Sequence, residues 1–312
     1  MSTSIIASQL DAAANAYLRS RLPQHEVVDL APGSLEVPAQ ADVLLIRPIK
    51  VKEILTAPAG WPWSLRWVQL SSSGIDFFPR WLFQGVPVTS GKGSNADQVA
   101  EFALALVFAA AKQLPGLWVK DAHWQLTPLA PVSGRTLGIV GFGHIGQSLA
   151  RKAAALGMRV LAVGRPGQAI EPVAGVEQAQ SVEQLFAHSD HVVLAAPLTA
   201  GTCGMIGHAE LAHAKPGLHL VNIARGGLLD HEALLDALDA GTLGRASLDV
   251  TDPEPLPAGH PLYSNPRVFI SPHTSAISEE GPQGLLDRFI DNFTRYRAQL
   301  PLSNLVDVQR GY

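Results

Sequence analysis

Arg225, Glu254 and His273 each stand just beyond a short run of strand-forming residues. Arg225 follows Leu218-His219-Leu220-Val221-Asn222-Ile223, Glu254 follows Ser247-Leu248-Asp249-Val250, and His273 follows Val268-Phe269-Ile270-Ser271-Pro272. These side-chain types can supply a protein's share of a two-electron carbonyl reduction: a proton donor that works near neutral pH, a group that orients it, and a cation that fixes a carboxylate and polarises the ketone. His273 would give a proton to the carbonyl oxygen and take it back in the reverse direction. Glu254 would hydrogen-bond the second ring nitrogen, fixing the ring and favouring imidazolium. Arg225 would pair with carboxylate and carbonyl through its planar, two-pronged guanidinium. Taken singly, each has a plain structural alternative: Arg225 a turn cap, Glu254 a solvated loop residue, His273 a satisfied core histidine. Their shared position past strand ends favours chemistry, because ligands of a wound parallel sheet bind beyond the carboxyl ends of its strands.

A reduction also needs a hydride source. Gly141-Phe142-Gly143-His144-Ile145-Gly146 has the GxGxxG spacing, which alone is weak, but it follows the buried-strand run Leu137-Gly138-Ile139-Val140 and opens a helical stretch ending near Gly157. In that context Gly141 permits the tight turn, Gly143 lets the backbone approach a pyrophosphate, and Gly146 permits close helix–strand packing. NAD-binding versions carry Asp or Glu about 20 residues on, where it holds the ribose 2′-hydroxyl. Here the second strand ends in Ala162-Val163-Gly164-Arg165-Pro166, with Gly164 at the acidic position and Arg165 suited to a 2′-phosphate. NADP(H) is therefore the expected cofactor, with NAD(H) possible and Arg165 as a solvated loop residue the alternative.

The elements that would hold these groups alternate β-branched runs with Ala- and Leu-rich helical stretches, the pattern of wound α/β units. Strands are expected at 27–30, 42–46 and 67–70 in a first small sheet, and at 136–140, 159–163, 191–195, 218–223, 245–250 and 267–270 in a second. Six strands suffice for a dinucleotide-binding sheet. A long helix from near Asn95, with Val99, Phe102, Leu106 and Ala110 at helical spacing, leads through a Pro- and Trp-containing connector into the second sheet. The final helix, 284–298, is expected to return to the first domain. The expected organisation is a cofactor domain over 96–283 inserted into a substrate domain made of 1–95 and 284–312.

The 312 residues fit two domains, and the 47% hydrophobic and 16% charged composition describes an ordered globular chain. A formal charge of −4 offers no cationic field for nucleic acid. The lone Cys203 excludes an internal disulfide framework, and the eleven histidines lack ligand spacing, so no metal site is expected. The apolar stretch 99–111 is too short to cross a bilayer and contains Glu101, and the N-terminus lacks a basic region before an apolar core. A cytoplasmic protein without a leader or anchor is expected.

These motifs together resemble the D-isomer-specific 2-hydroxyacid dehydrogenases, over most of the chain. In order they are Gly93-Ser94-Asn95-Ala96 followed by Val99-Ala100-Glu101, the glycine loop, Val221-Asn222-Ile223-Ala224-Arg225-Gly226-Gly227 leading to Asp230, Leu248-Asp249-Val250 before Pro253-Glu254-Pro255-Leu256, and Ser271-Pro272-His273. The resemblance implies a Rossmann cofactor domain inserted into a flavodoxin-like substrate domain, and conversion of a small 2-oxo acid to its D-2-hydroxy acid. It implies that Arg225, Glu254 and His273 are catalytic and that Pro197, Ala224 and Asp249 line the cofactor. The loop Ser72-Ser73-Gly74-Ile75 would offer amides to a substrate carboxylate, and Arg47 would lie near substrate. Gly164-Arg165 resembles the NADPH-using glyoxylate and hydroxypyruvate reductases of the family. Glu254 argues against the formate dehydrogenase branch, which has Gln there, and the length leaves no room for the regulatory domain of many phosphoglycerate dehydrogenases. A homodimer through the cofactor domain, with residues 101–124 contributing, is implied as well. Two other readings share these residues: a dinucleotide-sensing interaction protein, and a dehydrogenase of another small oxyanion.

Overall fold

The computed structural model describes residues 3–278 and 282–312 and divides into two compact units, Met1–Asn95 with Ser278–Tyr312, and Ala96–Ile277. The second unit ends at Ile277, ahead of the expected 283; residues 279–281, within that expected span, lie outside the described residues.

The first unit opens with β1 (Ile5–Ser8), α1 (Ala12–Arg21), β2 (Glu26–Asp29), β3 (Val43–Ile46), β4 (Trp67–Leu70) and β5 (Val88–Thr89). Its strands are parallel in the order β2-β1-β3-β4-β5, which is the flavodoxin-like order. β3 and β4 are buried at every position, as near-continuous apolar runs are when both sheet faces are covered. β1 and β5 are additional to the expected strands. β1 is a run of four residues, and pairing on both sides, Ile6 with Val27 and Ile6 with Val43, makes it a strand where its local pattern is too brief. Asp11 then starts α1 by accepting the Ala14 amide, which satisfies one of the amides left over at the helix start.

The second unit runs α2 (Ala96–Ala111), β6 (Thr136–Val140), α3 (His144–Ala155), β7 (Arg159–Val163), β8 (Val176–Gln178), α4 (Val182–His188), β9 (His191–Leu194), α5 (His208–Leu211), β10 (Leu218–Asn222), α6 (His231–Asp239), β11 (Leu243–Leu248), α7 (Pro261–Ser264) and β12 (Val268–Ile270). All seven strands are parallel, ordered β12-β11-β10-β9-β6-β7-β8. Counted from β6, this is the Rossmann order with one further strand, and the order reverses between β6 and β9. The expected six strands become seven because β8, Val176-Glu177-Gln178, has no apolar pattern. Ladder pairing with β7 holds it, together with a 2.7 Å ion pair from Arg159 to Glu177. Alternate residues of the central strands feed two cores: Ile139, Val193 and Val221 pack with α2 and α3, while Val140, Val192 and Leu220 pack with Phe186, Leu234 and Leu248. In the connector between α2 and β6, Trp118, Trp124 and Leu126 are 67, 81 and 99% exposed.

The chain then re-enters the first unit as α8 (Gln283–Arg297), where Phe289 stacks on Trp67 with ring centroids 5.1 Å apart and Phe293 completes the same buried cluster. Among the described residues no helix is long and apolar enough to cross a membrane, and no group of three or more His, Cys, Asp or Glu residues could hold a metal ion.

Candidate active site

The glycine loop lies at the reversal point of the second sheet. Gly141 sits at φ +100°, and a Cβ on it would meet the Ala196 nitrogen at 2.5 Å, so the segment leading from β9 to Pro197 passes directly against it. A Cβ on Gly146 would fall 2.3 Å from the Gly141 carbonyl oxygen. These two glycines are required by the protein's own packing. Gly143 differs: a Cβ there would meet nothing within 4 Å, and Gly143 caps α3 without any side-chain hydrogen bond. Glycine at an open helix start, where amides and the helix dipole favour an anion, fits the pyrophosphate of a dinucleotide. Phe142 and Ile145 pack partly into the α2–α3 core, and His144 is exposed at the first turn. Gly164 follows β7, Arg165 is exposed beside it, and Pro197 is exposed beyond β9.

Glu254 and His273 are joined by a 2.6 Å contact between Oε1 and Nδ1, with the two side chains 41 and 30% exposed. His273 sits at φ +50°, a left-handed conformation that costs a non-glycine residue about 1–3 kcal/mol and persists where its surroundings hold it. Asp249 provides that hold. Its main-chain oxygen accepts the His273 amide at 2.9 Å, and its carboxylate accepts from Ser271 Oγ at 2.6 Å and from the Thr274 and Ser275 amides at 3.0 Å. Burial pushes the Asp249 carboxyl up, but the hydrogen bonds from Ser271, Ser275 and Thr274 outweigh it and leave the group below the ordinary carboxylate range. Asp249, expected at the cofactor, thus has its carboxylate engaged by the histidine-bearing segment and is 1% exposed. A cleft of about 610 Å³ is lined by this pair together with Thr251, Leu256, Leu262 and Ile270.

Arg225 is set by a neighbour that sequence reasoning passed over. Asn222, fully buried at the end of β10, donates from Nδ2 to the Arg225 carbonyl at 2.9 Å and accepts the Ala224 amide on Oδ1 at 3.1 Å. The Arg225 guanidinium donates back to the Ala224 carbonyl at 2.7 Å, and Ala224 itself is buried. The signal was an amide within an apolar strand run, since a buried polar side chain needs partners and those partners define local geometry. Gly226, next along, lies directly against the Thr251–Asp252 peptide, so the loops bearing Arg225 and Glu254 touch.

Arg47 and Ser72-Ser73-Gly74-Ile75 belong to the first unit. The Arg47 amide donates to Gln9 Oε1 at 3.0 Å, and the buried Gln9 donates onward to the Ser34 carbonyl. Ser72 Oγ donates to the Gly74 carbonyl at 2.7 Å, Ser73 Oγ donates to the Gly91 carbonyl at 3.2 Å, and Ile75 packs into the first unit's core. Among the described residues, the amides of Ser73, Gly74 and Ile75 have no protein acceptor.

A sheet edge with an open anion cradle at its reversal point and a His–Glu pair beside an arginine loop is suited to moving a hydride and a proton together. It defines the class: a nicotinamide-dependent oxidoreductase. Residues 104–275 match the family model described as D-isomer specific 2-hydroxyacid dehydrogenase, NAD binding domain. The chain is 33% identical over 311 residues to the Glyoxylate/hydroxypyruvate reductase A of Serratia proteamaculans, covering 95% of each chain. Its structure is similar to a D-isomer specific 2-hydroxyacid dehydrogenase family protein from Aeromonas salmonicida, with a TM-score of 0.84 and 30% identity over 98% of this chain and 99% of that one. It is similar also to a D-isomer specific 2-hydroxyacid dehydrogenase from Xanthobacter autotrophicus in complex with NADPH and MES, with a TM-score of 0.82 and 27% identity over 100% of both. The chain belongs to the D-isomer specific 2-hydroxyacid dehydrogenase family.

Proposed function

We propose that this protein uses NADPH to reduce a small 2-oxo acid, of the glyoxylate or hydroxypyruvate kind, to the D-2-hydroxy acid. The observation that carries this reading is the 2.6 Å contact of Glu254 with His273 Nδ1. That bond keeps a proton on Nδ1 and turns the ring so that Nε2 is the atom that exchanges a proton with substrate. A dinucleotide held at the glycine loop would supply the hydride for the carbonyl carbon. As the carbonyl oxygen gains negative charge, His273 gives it the Nε2 proton and becomes neutral, and Glu254 stabilises the ring before and after transfer. Arg225 pairs with the substrate carboxylate and polarises the carbonyl, with its loop held by Asn222. The Ser72-Ser73-Gly74-Ile75 loop offers backbone amides to a substrate carboxylate, and Arg47 lies near substrate.

The NADPH preference is supported by Gly164-Arg165, which lacks an acid for a 2′-hydroxyl and presents a guanidinium suited to a 2′-phosphate. The NADPH complex of the Xanthobacter relative supports it as well. Gly141, Phe142, Gly143, His144, Ile145 and Gly146 take the pyrophosphate side, with Pro197, Ala224 and Asp249 lining the rest. A homodimer in which residues 101–124 meet a second copy is part of the reading, and the exposed side chains of Trp118 and Trp124 would be covered in it. The setting is cytoplasmic. A panel of 2-oxo acids assayed with NADPH and NADH tests the reading: glyoxylate or hydroxypyruvate should be reduced with NADPH at higher kcat/KM than with NADH. Clear NADH preference, or no turnover of any 2-oxo acid by dinucleotide-binding protein, would contradict it.

A further inference from the structure

Gly164 is not required by its own backbone, which lies outside the left-handed region. It is required by a neighbour. A Cβ built on Gly164 would fall 2.9 Å from Ile170 Cγ2, closer than real Cβ atoms come to anything. Ile170 is partly buried and packs against the apolar cluster beneath α2 and α3, and a β-branched side chain has few rotamers with which to yield. Its main chain is held as well. Gln178, on β8, accepts the Ile170 amide on Oε1 at 3.1 Å and donates from Nε2 to the Gln168 carbonyl at 3.2 Å, while the Gln168 amide donates to the Arg165 carbonyl at 3.1 Å. Residues 164–170 are thus a turn pinned to the sheet at one end by β7 and at the other by Gln178, and Arg165 is carried within it. This also gives β8, a strand without apolar pattern, a task.

We propose that Ile170 is a specificity-determining residue for the dinucleotide, filling the space an acidic side chain at position 164 would need, while Gln178 holds residues 165–170 in the turn that offers Arg165 to a 2′-phosphate. The inference rests on the NADPH reading above. In NAD-preferring sheets an acid at the end of the second strand holds the ribose 2′-hydroxyl. Here that acid is excluded by packing, so a single exchange at 164 cannot restore it. The reversal needs two positions, 164 and 170, changed together.

The first test needs no cofactor. Gly164→Ala should lower the unfolding temperature by about 3 °C in the wild-type background and by much less in an Ile170→Ala background, where the methyl has been removed. Equal loss in both backgrounds would overturn the packing relationship. The second test is direct binding of NADP+ and NAD+ by calorimetry. Gly164→Asp alone should weaken both, and Gly164→Asp with Ile170→Ala should bind NAD+ about tenfold more tightly than Gly164→Asp alone. NAD+ binding by Gly164→Asp as tight as that of the double variant would overturn the proposal. Gln178→Ala should weaken NADP+ about threefold and leave NAD+ unchanged; equal loss for both would remove Gln178 from recognition. Wild-type protein that binds NAD+ more tightly than NADP+ would instead overturn the NADPH reading, whatever the coupling between 164 and 170.

Discussion

Gly226 presses against Thr251 so closely that a Cβ on it would lie 1.9 Å from the Thr251 carbonyl carbon and 2.4 Å from the Asp252 nitrogen. The residue after Arg225 is therefore seated on the segment that leads to Glu254, and the cation and the carboxylate of the site share one backbone junction. Gly226→Ala cannot be relieved by turning a side chain, because both obstacles are main-chain atoms. It should destabilise the protein by more than about 2 kcal/mol and lower kcat/KM for 2-oxo acid at least about tenfold. Thermal unfolding beside steady-state kinetics checks this; wild-type values in both would show that the junction yields freely.

Asn222→Ala removes both ends of the amide that spans the Ala224 and Arg225 main chain, leaving the buried Ala224 amide unpaired at a cost of about 1–3 kcal/mol and the Arg225 carbonyl with only the Leu228 amide at 3.3 Å. Because the side chain acts through Arg225, KM for 2-oxo acid should rise while dinucleotide affinity stays unchanged. In an Arg225→Lys background, already impaired because an ammonium cannot reproduce paired contacts, Asn222→Ala should cost much less. Additive losses in that cycle would make Asn222 a structural residue only.

Asp249→Asn keeps the size of the side chain but sets an amide group against the donors of Ser271, Thr274 and Ser275. The left-handed His273 backbone loses part of its hold, and kcat should fall on the order of 100-fold through misplacement of the ring. Dinucleotide binding, measured separately, distinguishes this from a role at the cofactor: affinity should hold if the carboxylate acts on the loop, and should fall in parallel with kcat if it contacts the dinucleotide.

A buried ladder of two histidines and a serine on adjacent strands should make the stability of the fold depend on pH. His191 and His219 face each other with Nδ1 atoms 3.2 Å apart, and His219 Nε2 lies 2.9 Å from Ser247 Oγ. Burial lowers His191 to about 4, with Asp190 pushing it up and Arg135 down, and burial with His191 and Arg245 lowers His219 well below 6.5. Both rings are neutral when folded. As pH falls below 6.5 the unfolded chain takes up protons that the folded chain refuses until about 4, so stability present above 6.5 is lost across that window, by about 3 kcal/mol from His191 alone. Urea unfolding at pH 7.5 and 5.0 should show the loss, and His191→Asn with His219→Asn should reduce the pH dependence. An unchanged slope in that variant would place the acid sensitivity elsewhere.

The parts of this molecule legible in sequence are those that local chemistry dictates. Strand runs such as Trp67–Leu70, Thr136–Val140 and Arg159–Val163 have the expected bounds because each is apolar enough to be buried whichever neighbour it finds. β1, β5 and β8 were not legible, since four, two and three residues become strands only through pairing with distant segments. At the site, Gly141 and Gly146 could be read because turn and close packing are properties of the motif itself. The tasks of Asn222, Asp249 and Ile170 could not, because each depends on which main-chain atoms folding brings within a hydrogen bond or a methyl radius.

The central claim, that His273 exchanges the substrate's proton while held by Glu254, is tested most directly by His273→Asn. Titration with NADP+ and turnover of glyoxylate and hydroxypyruvate are measured on the same preparation. The account predicts unchanged dinucleotide affinity with kcat reduced by about 100- to 10,000-fold; near-wild-type kcat with intact binding would contradict it.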